Sequence, residues 1–400
     1  MLRSRWGLVA ALAISSTVGY GVLFYAFAVF LTPITADLHT SPAAVTGAVT
    51  VSTLVMAAVA VPVGKWLDHR GGRTLMTAGA LIAFAAVAAW SRVDSIPELY
   101  AVFALIGLAS AMTLYGPAFA VLVRHLPTER HASALLAVTI VAGLATSVFT
   151  PLTGWLTEEF GWRRALLLLA VVLLAVTLPL HLLVVPRGAG HHPTTVPVTA
   201  QQRARIVADA RRDPAFWLLA AAFMANGVAI TVVPIHLVSF LISVGHPAAF
   251  AAAIAGLLGV LSVTGRIVTT GFRRRMPTAL VAAAVFALQA VAIAAMPAVG
   301  GSTWGAVTCV ALFGLGFGVS TLTRPALLTE RYGTAAFGTL TGTLQLPLEL
   351  VKAGTPVAAA AVATLGHYGL VMAGVAVCCL VSAACLTLLH RHPVPQPALP

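Results

Sequence analysis

Long apolar runs alternate with short polar stretches along the whole chain, and twelve of the runs are about as long as a bilayer is thick. A helix crossing the ~30 Å hydrocarbon layer needs ~20 apolar residues, because no water is present there to pair its backbone. The pattern therefore predicts spanning helices at Trp6–Leu31, Ala43–Val63, Leu75–Trp90, Leu99–Val123, Ser133–Leu156 and Ala165–Val185. A second set follows at Ala215–Leu241, Ala248–Thr270, Ala279–Met296, Ala306–Thr323, Ala335–Ala363 and Leu370–Leu389. Leu75–Trp90 is short, and Ala335–Ala363 is long enough to need tilt. Arg3 and Arg5 before the first run have the look of a signal peptide, but the run continues to Leu31, well past a signal h-region, so a retained first helix is expected. The expected fold is all-α, a polytopic membrane protein of twelve transmembrane helices in two six-helix bundles.

The polar positions then set orientation. An even number of spans places both termini on one side, and eighteen of the 23 Lys and Arg residues fall there. The opposite side has only Arg92, Arg163 and Arg164, and Arg266 and Lys352 lie within spans. Positive loops stay cytoplasmic, so both termini are expected inside. The same bias accounts for the net charge of +12, which calls for no nucleic-acid partner. With 8% charged and 60% hydrophobic residues the chain is no soluble domain, which would carry about a quarter charged residues. Cys309, Cys378, Cys379 and Cys385 sit in apolar segments at spacings that suit neither a zinc site nor a disulfide framework. No metal and no cofactor is expected, and the absence of a nucleotide loop, metal-ligand cluster or nucleophile elbow argues against an enzyme. A composition rich in alanine and arginine, with Lys65 and Lys352 the only lysines, suggests a GC-rich bacterial genome and hence the bacterial inner membrane.

Pro186 to Asp213 is the one long polar connection, with Gly188, Gly190, His191, His192, Pro193, Pro197 and a basic cluster. It divides the chain into an N-terminal bundle (1–185), a cytoplasmic linker (186–213), a C-terminal bundle (214–390) and a short tail (391–400). Landmarks recur across it at nearly constant offset. Leu114-x-x-Pro117-Ala118 matches Leu322-x-x-Pro325-Ala326 at 208 residues, Gly64 matches Gly271 at 207, and Gly161-Trp162 matches Gly366-His367-Tyr368 at 205. A parallel duplication into two six-helix halves is the architecture of a rocking carrier.

Between the second and third spans stands Gly64-Lys65-Trp66-Leu67-Asp68-His69-Arg70-Gly71-Gly72-Arg73. This resembles the signature loop of the major facilitator superfamily. Gly64, Asp68, Gly71 and Arg73 fit it, while His69 and Gly72 stand where a basic residue is usual. Glycine permits a tight turn and close helix approach, and Asp68 can meet a neighbouring helix N-terminus or a basic side chain. The four residues are therefore expected to form a conformational latch. Tyr20-Gly21-Val22-Leu23-Phe24-Tyr25-Ala26-Phe27, Leu114-Tyr115-Gly116-Pro117-Ala118-Phe119, Gly161-Trp162-Arg163 and Gly265-Arg266 resemble bacterial relatives of monocarboxylate transporters and oxalate/formate antiporters. The resemblance implies transport of a small organic anion, with a proton or in exchange.

Charged residues inside the spans carry the chemistry. Arg266 costs several kcal/mol at the bilayer centre unless it faces water, an anion or a partner. It either snorkels toward the Arg273-Arg274-Arg275 cluster or grips a carboxylate with its bidentate fork, the role that the resemblance implies for it. Glu349 and Lys352 share one face of the eleventh span at spacing i, i+3. They form either a structural ion pair, or a proton-titratable group and a second anion anchor. The oxalate/formate antiporters carry a lysine about one turn earlier relative to the following proline, here Pro356. His236, after Pro234, is the other proton-coupling candidate, placed where proline can break the helix. Tyr20, Tyr25, Tyr115 and Asn226 can supply neutral hydrogen bonds to a substrate. Two departures stand out: Tyr25 replaces the first-span lysine of human monocarboxylate transporters, and Ser262 replaces their aspartate four residues before the arginine.

Arg266, Lys352 and Glu349 together leave one positive charge in excess within the membrane, which favours an anionic cargo. The expected function is a monomeric secondary carrier for a mono- or dicarboxylate, working by alternating access with proton-coupled uptake and with lipid as its surroundings. The alternatives are an anion exchanger, or an exporter of drugs or metabolites. Against the exporter, the Ala142–Gly154 stretch holds only a fragment of the Gly-Pro-x-x-Gly-Gly pattern of drug/proton antiporters.

Overall fold

The computed structural model of the chain describes residues 2–188, 198–273, 275–364 and 368–392. The linker stretch 189–197 with its histidines, Arg274, Gly366 and His367 of the repeat landmark, and the tail beyond 392 lie outside the described residues. The described chain is helical throughout. Its helices are α1 (Leu2–Tyr20), a π-helical turn (Gly21–Tyr25), α2 (Ala26–Asp37), α3 (Pro42–Arg70), α4 (Gly72–Trp90), α5 (Ile96–Thr113), α6 (Tyr115–His125), α7 (Thr128–Gly143), α8 (Ala145–Phe160) and α9 (Trp162–Leu183). After these come α10 (Ala200–Arg212), α11 (Pro214–Ser243), α12 (Ala248–Phe272), α13 (Thr278–Val299), α14 (Thr303–Phe317), α15 (Ser320–Tyr332), α16 (Phe337–Thr364) and α17 (Tyr368–Arg391). Among the described residues, eleven helical segments are long and apolar enough to span a membrane, and α16 occupies the remaining run that the hydropathy pattern picks out.

Several expectations need correction. The first, fourth, fifth and tenth runs are not single regular helices. The first widens into the π-turn at Gly21–Tyr25. The fourth breaks at Leu114, whose backbone is extended at φ −82°, ψ −154°. Pro117 follows in the first turn of α6, where a missing N–H costs nothing. The fifth breaks at Leu144 after Gly143, and the tenth at Gly318, in a glycine-rich stretch of poor helix formers. Conversely, Pro234 does not break its helix: α11 runs through it to Ser243. The polar connection contains a helix of its own, α10.

The described chain divides into two compact units, one of Met1–Arg205 with Thr334–Glu349, the other of Ile206–Gly333 with Leu350–Pro400. Each has its own apolar core, gathered around Phe30, Trp90 and Phe103 in the first and around Phe240, Phe313 and Met372 in the second. Internal packing repeats. In the first unit α3 packs on α5, and α4 on α5 and α9; in the second α12 packs on α14, and α13 on α14 and α17. One contact of each set brings backbones together through a glycine. A Cβ at Gly107 of α5 would lie 2.2 Å from the Ser52 carbonyl oxygen of α3, and one at Gly265 of α12 would lie 1.7 Å from that of Leu315 in α14. Leu315 is 208 residues after Gly107, the offset of the proline landmarks. The close crossing thus recurs, with the glycine on the opposite helix.

In the second unit the junction of α10 and α11 is tied by Asp213. Its carboxylate accepts from the Ala215 N–H at 2.9 Å, the Tyr332 hydroxyl at 2.8 Å and Arg331 Nε at 3.2 Å. Burial pushes this carboxyl up, but the three donors and the Arg331 charge outweigh it and hold it below the ordinary carboxylate value. A carboxyl lowered by folding adds stability above its unfolded pKa of about 4, and that stability is lost as pH falls through the folded value. Asp213→Asn should therefore lower the thermal midpoint at pH 7, with a penalty that shrinks steadily below pH 4 in a detergent melting series. A penalty equal at pH 7 and pH 3 would mean that the carboxylate charge contributes nothing.

Candidate functional site

Two clusters hold most of the residues singled out from the sequence. The first is the turn between α3 and α4. Gly71 ends α3 at φ +80°, a conformation that favours glycine, and Arg73, half-buried, opens α4. Asp68, one turn earlier, is 3% exposed. It points at the start of α16, where it accepts from the Gly338 N–H at 2.9 Å, the Thr339 N–H at 2.7 Å and the Thr339 hydroxyl at 2.6 Å. The first N–H groups of a helix have no partner within it and carry the positive end of its dipole. Asp68 therefore acts as an N-cap supplied by another helix. Arg124, at the end of α6, donates to the Asp68 main-chain oxygen at 3.0 Å.

Close approach makes this cap possible. A Cβ at Gly64 would lie 2.1 Å from the Gly338 carbonyl oxygen, and one at Gly342 would lie 2.2 Å from that of Ala60. Ala60, Gly64 and Asp68 on α3 meet Gly338 and Gly342 on α16, each set spaced by four and so on one face. Sequence reasoning found Gly64 and Asp68 but missed Gly338, Thr339, Gly342 and Arg124. The signal was present as small residues four apart at the head of the eleventh span.

The second cluster is aromatic. Tyr20 and Tyr25 flank the π-turn of the first span, and Tyr115 opens α6 just after the Leu114 break. The Tyr20 and Tyr115 rings are 4.6 Å apart between centroids, and Tyr25 lies 6.5 Å from Tyr20. Gly19 and Gly21 give the space: Cβ atoms there would strike the Leu114 side chain at 2.9 Å and the Phe149 ring at 2.2 Å. Tyr115, distant in sequence, thus meets Tyr20, and all three tyrosines are half-buried.

The remaining candidates are carried by α11, α12 and α16: Arg266, Asn226, His236 and Lys352 belong to the second unit, and Glu349 closes the α16 segment that belongs to the first. Arg266 of α12 is 9% exposed, and its Nε donates to the Gly318 carbonyl at 3.3 Å, at the break between α14 and α15. Fully buried on α11, Asn226 donates to Gln289 Oε1 of α13 at 3.3 Å, and Gln289 donates to the Phe313 carbonyl of α14 at 3.0 Å. This is an interhelical polar chain. His236 is buried on α11, Lys352 is half-buried on α16, and Glu349 is 2% exposed and accepts from the Gln345 amide. Arg163 is a surface tie, bonding Asp37 at 2.8 Å and Asp94 at 2.7 Å, an exposed arrangement of modest worth.

A sequence profile described as the Major Facilitator Superfamily matches residues 12–350. The chain belongs to that superfamily. That superfamily is one of membrane transporters, not of enzymes. The chain is 30% identical over 272 residues to monocarboxylate transporter 13 of Bos taurus, a stretch covering 64% of this chain and 59% of the bovine protein. The match thus spans less than two thirds of that relative's length. Its fold is similar to the crystal structure of a bacterial homologue of the iron transporter ferroportin in an outward-facing state, with TM-score 0.78 and 14% identity over 96% of this chain and 100% of that one. It is also similar to the E. coli fucose:proton symporter FucP, with TM-score 0.73 and 14% identity over 95% and 98%.

Asp68→Asn keeps the size of the side chain but removes its charge and replaces one of its two accepting oxygens with a donor, which should cost ~1–3 kcal/mol. Hydrogen exchange at Gly338 and Thr339 should quicken at least about fivefold, the factor that ~1 kcal/mol gives, while the first turn of α14, capped by Ser302, should be unaffected. Unchanged protection at the head of α16 would show that the carboxylate does not hold that helix end.

Proposed function

We propose that this major facilitator carries a small organic anion, a mono- or dicarboxylate, across the cytoplasmic membrane by rocker-switch alternating access. It works as a monomer, takes up its substrate with a proton, and has both termini in the cytoplasm. The observation that carries this reading is Arg266, a permanent cation buried on a spanning helix with its Nε on a main-chain carbonyl. A guanidinium placed so deep has its cost offset when it receives an anion, and its planar fork matches a carboxylate. The likeness to monocarboxylate transporter 13 points the same way. Lys352 supplies a second positive group, and the tyrosines Tyr20, Tyr25 and Tyr115 supply hydroxyl donors and apolar faces. Glu349, buried within a span, serves as the proton-coupling carboxylate, with His236 as the second candidate. Asp68 with Gly64, Gly71 and Arg73 acts as the latch of one end state, released when the start of α16 leaves the α3–α4 turn.

A thermal-shift screen of the purified protein should find stabilisation by carboxylates such as pyruvate, lactate, oxalate or succinate, since a ligand that binds only the folded state raises the midpoint. Arg266→Ala should abolish that shift and lower carboxylate uptake into proteoliposomes at least tenfold with folding retained. Arg266→Lys should recover little, because the fork is lost. Near-normal uptake by the alanine variant would remove Arg266 from substrate binding.

Coupling is tested separately. An imposed inward proton gradient should stimulate uptake by the unaltered protein, and Glu349→Gln should remove the stimulation. The double variant Glu349→Gln/Lys352→Gln distinguishes a coupling group from a structural pair: full gradient-driven transport by it would rule both residues out. Uptake indifferent to the gradient but dependent on internal anion would establish exchange in place of symport.

A further inference from the structure

Three glycines stand at alternate positions at the end of α14, and each meets a different neighbour. A Cβ at Gly314 would lie 2.8 Å from Leu261 of α12, and one at Gly316 would lie 2.4 Å from the Gln289 amide carbon of α13. One at Gly318 would lie 2.4 Å from Arg266 Nε, 2.9 Å from its Cζ and 2.5 Å from Ser262 Oγ. Positions 314 and 318 are one helical turn apart and so face the same helix, α12. Gly314 gives that helix room to pack. Gly318 gives the guanidinium room to lie flat against the main chain.

The conformation at Gly318 is not what demands glycine. Its φ of −99° is open to any residue, so the demand is for space. Its carbonyl is one of those left unpaired where α14 ends, and it accepts from both Arg266 Nε at 3.3 Å and the Thr321 hydroxyl at 2.7 Å. The carbonyl end of a helix also favours a cation. We propose that Gly318 is a positioning residue for Arg266, a seat made of bare backbone that fixes how the arginine meets its substrate. The proposal rests on the reading of Arg266 as the anion anchor. A guanidinium can take a carboxylate side-on, through Nε and one Nη, or end-on, through Nη1 and Nη2. The bond from Nε to the Gly318 carbonyl fixes the plane in which the guanidinium is presented, and so which of the two it uses. Ser262, 5% exposed, borders the same seat. At this position a larger side chain would crowd the guanidinium from the α12 side.

The test uses the full-length protein and phenylglyoxal, which modifies arginine guanidinium groups, with the labelling rate of the Arg266 peptide read by mass spectrometry. Gly318→Ala should displace the guanidinium and raise the labelling rate at least threefold. The same variant should raise the KM for pyruvate or oxalate uptake about tenfold with a smaller change in Vmax. Gly318→Ala added to Arg266→Ala should change uptake no further. Should Gly318→Ala fail to fold, Ser262→Val crowds the seat without touching the α14 backbone and should shift labelling and KM the same way. Unchanged labelling in a folded variant overturns the seat, whatever happens to transport. Faster labelling with unaltered uptake overturns Gly318 as a positioning residue and, with it, Arg266 as the anchor. Raised KM in the Arg266→Ala background overturns action through Arg266 alone.

Discussion

A peptide group inside hydrocarbon can bond only to other parts of the protein, so every interruption of a spanning helix must be answered locally. The interruptions in this chain are few, and three of them fall at candidate functional residues. At Gly21–Tyr25 the helix widens to a π-turn and keeps its backbone paired, which re-aims Tyr20 and Tyr25. At Leu114 the break is followed by Pro117, which has no N–H to leave unpaired, and Tyr115 is released beside Tyr20. At Gly318 the exposed carbonyl is taken by Arg266 and Thr321. The break and the charge serve each other: the carbonyl freed at the helix end faces a buried cation.

Two buried charges use helix ends in opposite senses. Asp68 sits at an N-terminus, where unpaired N–H groups converge on its carboxylate. Arg266 sits at a C-terminus, against a carbonyl. Both placements follow the helix dipole, and both need glycine, Gly64 and Gly338 for the aspartate and Gly318 for the arginine, because a Cβ would hold the backbone too far away. Backbone groups are thereby fixed partners whose geometry is set by the helix, with no side-chain entropy to lose.

The spans were legible because hydrophobic run length is a direct response to bilayer thickness. The breaks within them were not, since Leu114, Leu144 and Gly318 lie inside runs that are apolar on both sides. Pro234 shows the converse: a residue that forbids helix in water is absorbed in a span, where there is no water to reward opening. At the α3–α4 turn, Asp68 was readable from its motif, but its partners depended on which helix head arrives there, and Gly338, Thr339 and Arg124 lie far away in sequence. Asn226 stood out because it is polar in an apolar run, but its partner Gln289 did not, since its polarity drew no attention beside the charged candidates. Composition can show that a polar group is buried, but not which neighbour satisfies it.

The position of Thr334–Glu349 within the first compact unit has a consequence for how the protein is made. Thr339 follows Asp68 by 271 residues, and at synthesis rates of ~5–20 residues per second that interval is roughly 14–54 s. Throughout it the ribosome has delivered the carboxylate without the N–H groups that pair it, and Gly64 faces an empty groove where the head of α16 will lie. The first half of the molecule is thus inserted early and completed late, by a segment that arrives only after most of the second half. A chain stopped before residue 334 would carry Asp68 without the N–H groups that cap it in the finished protein, and the Gly64 face of α3 without the helix head that packs on it.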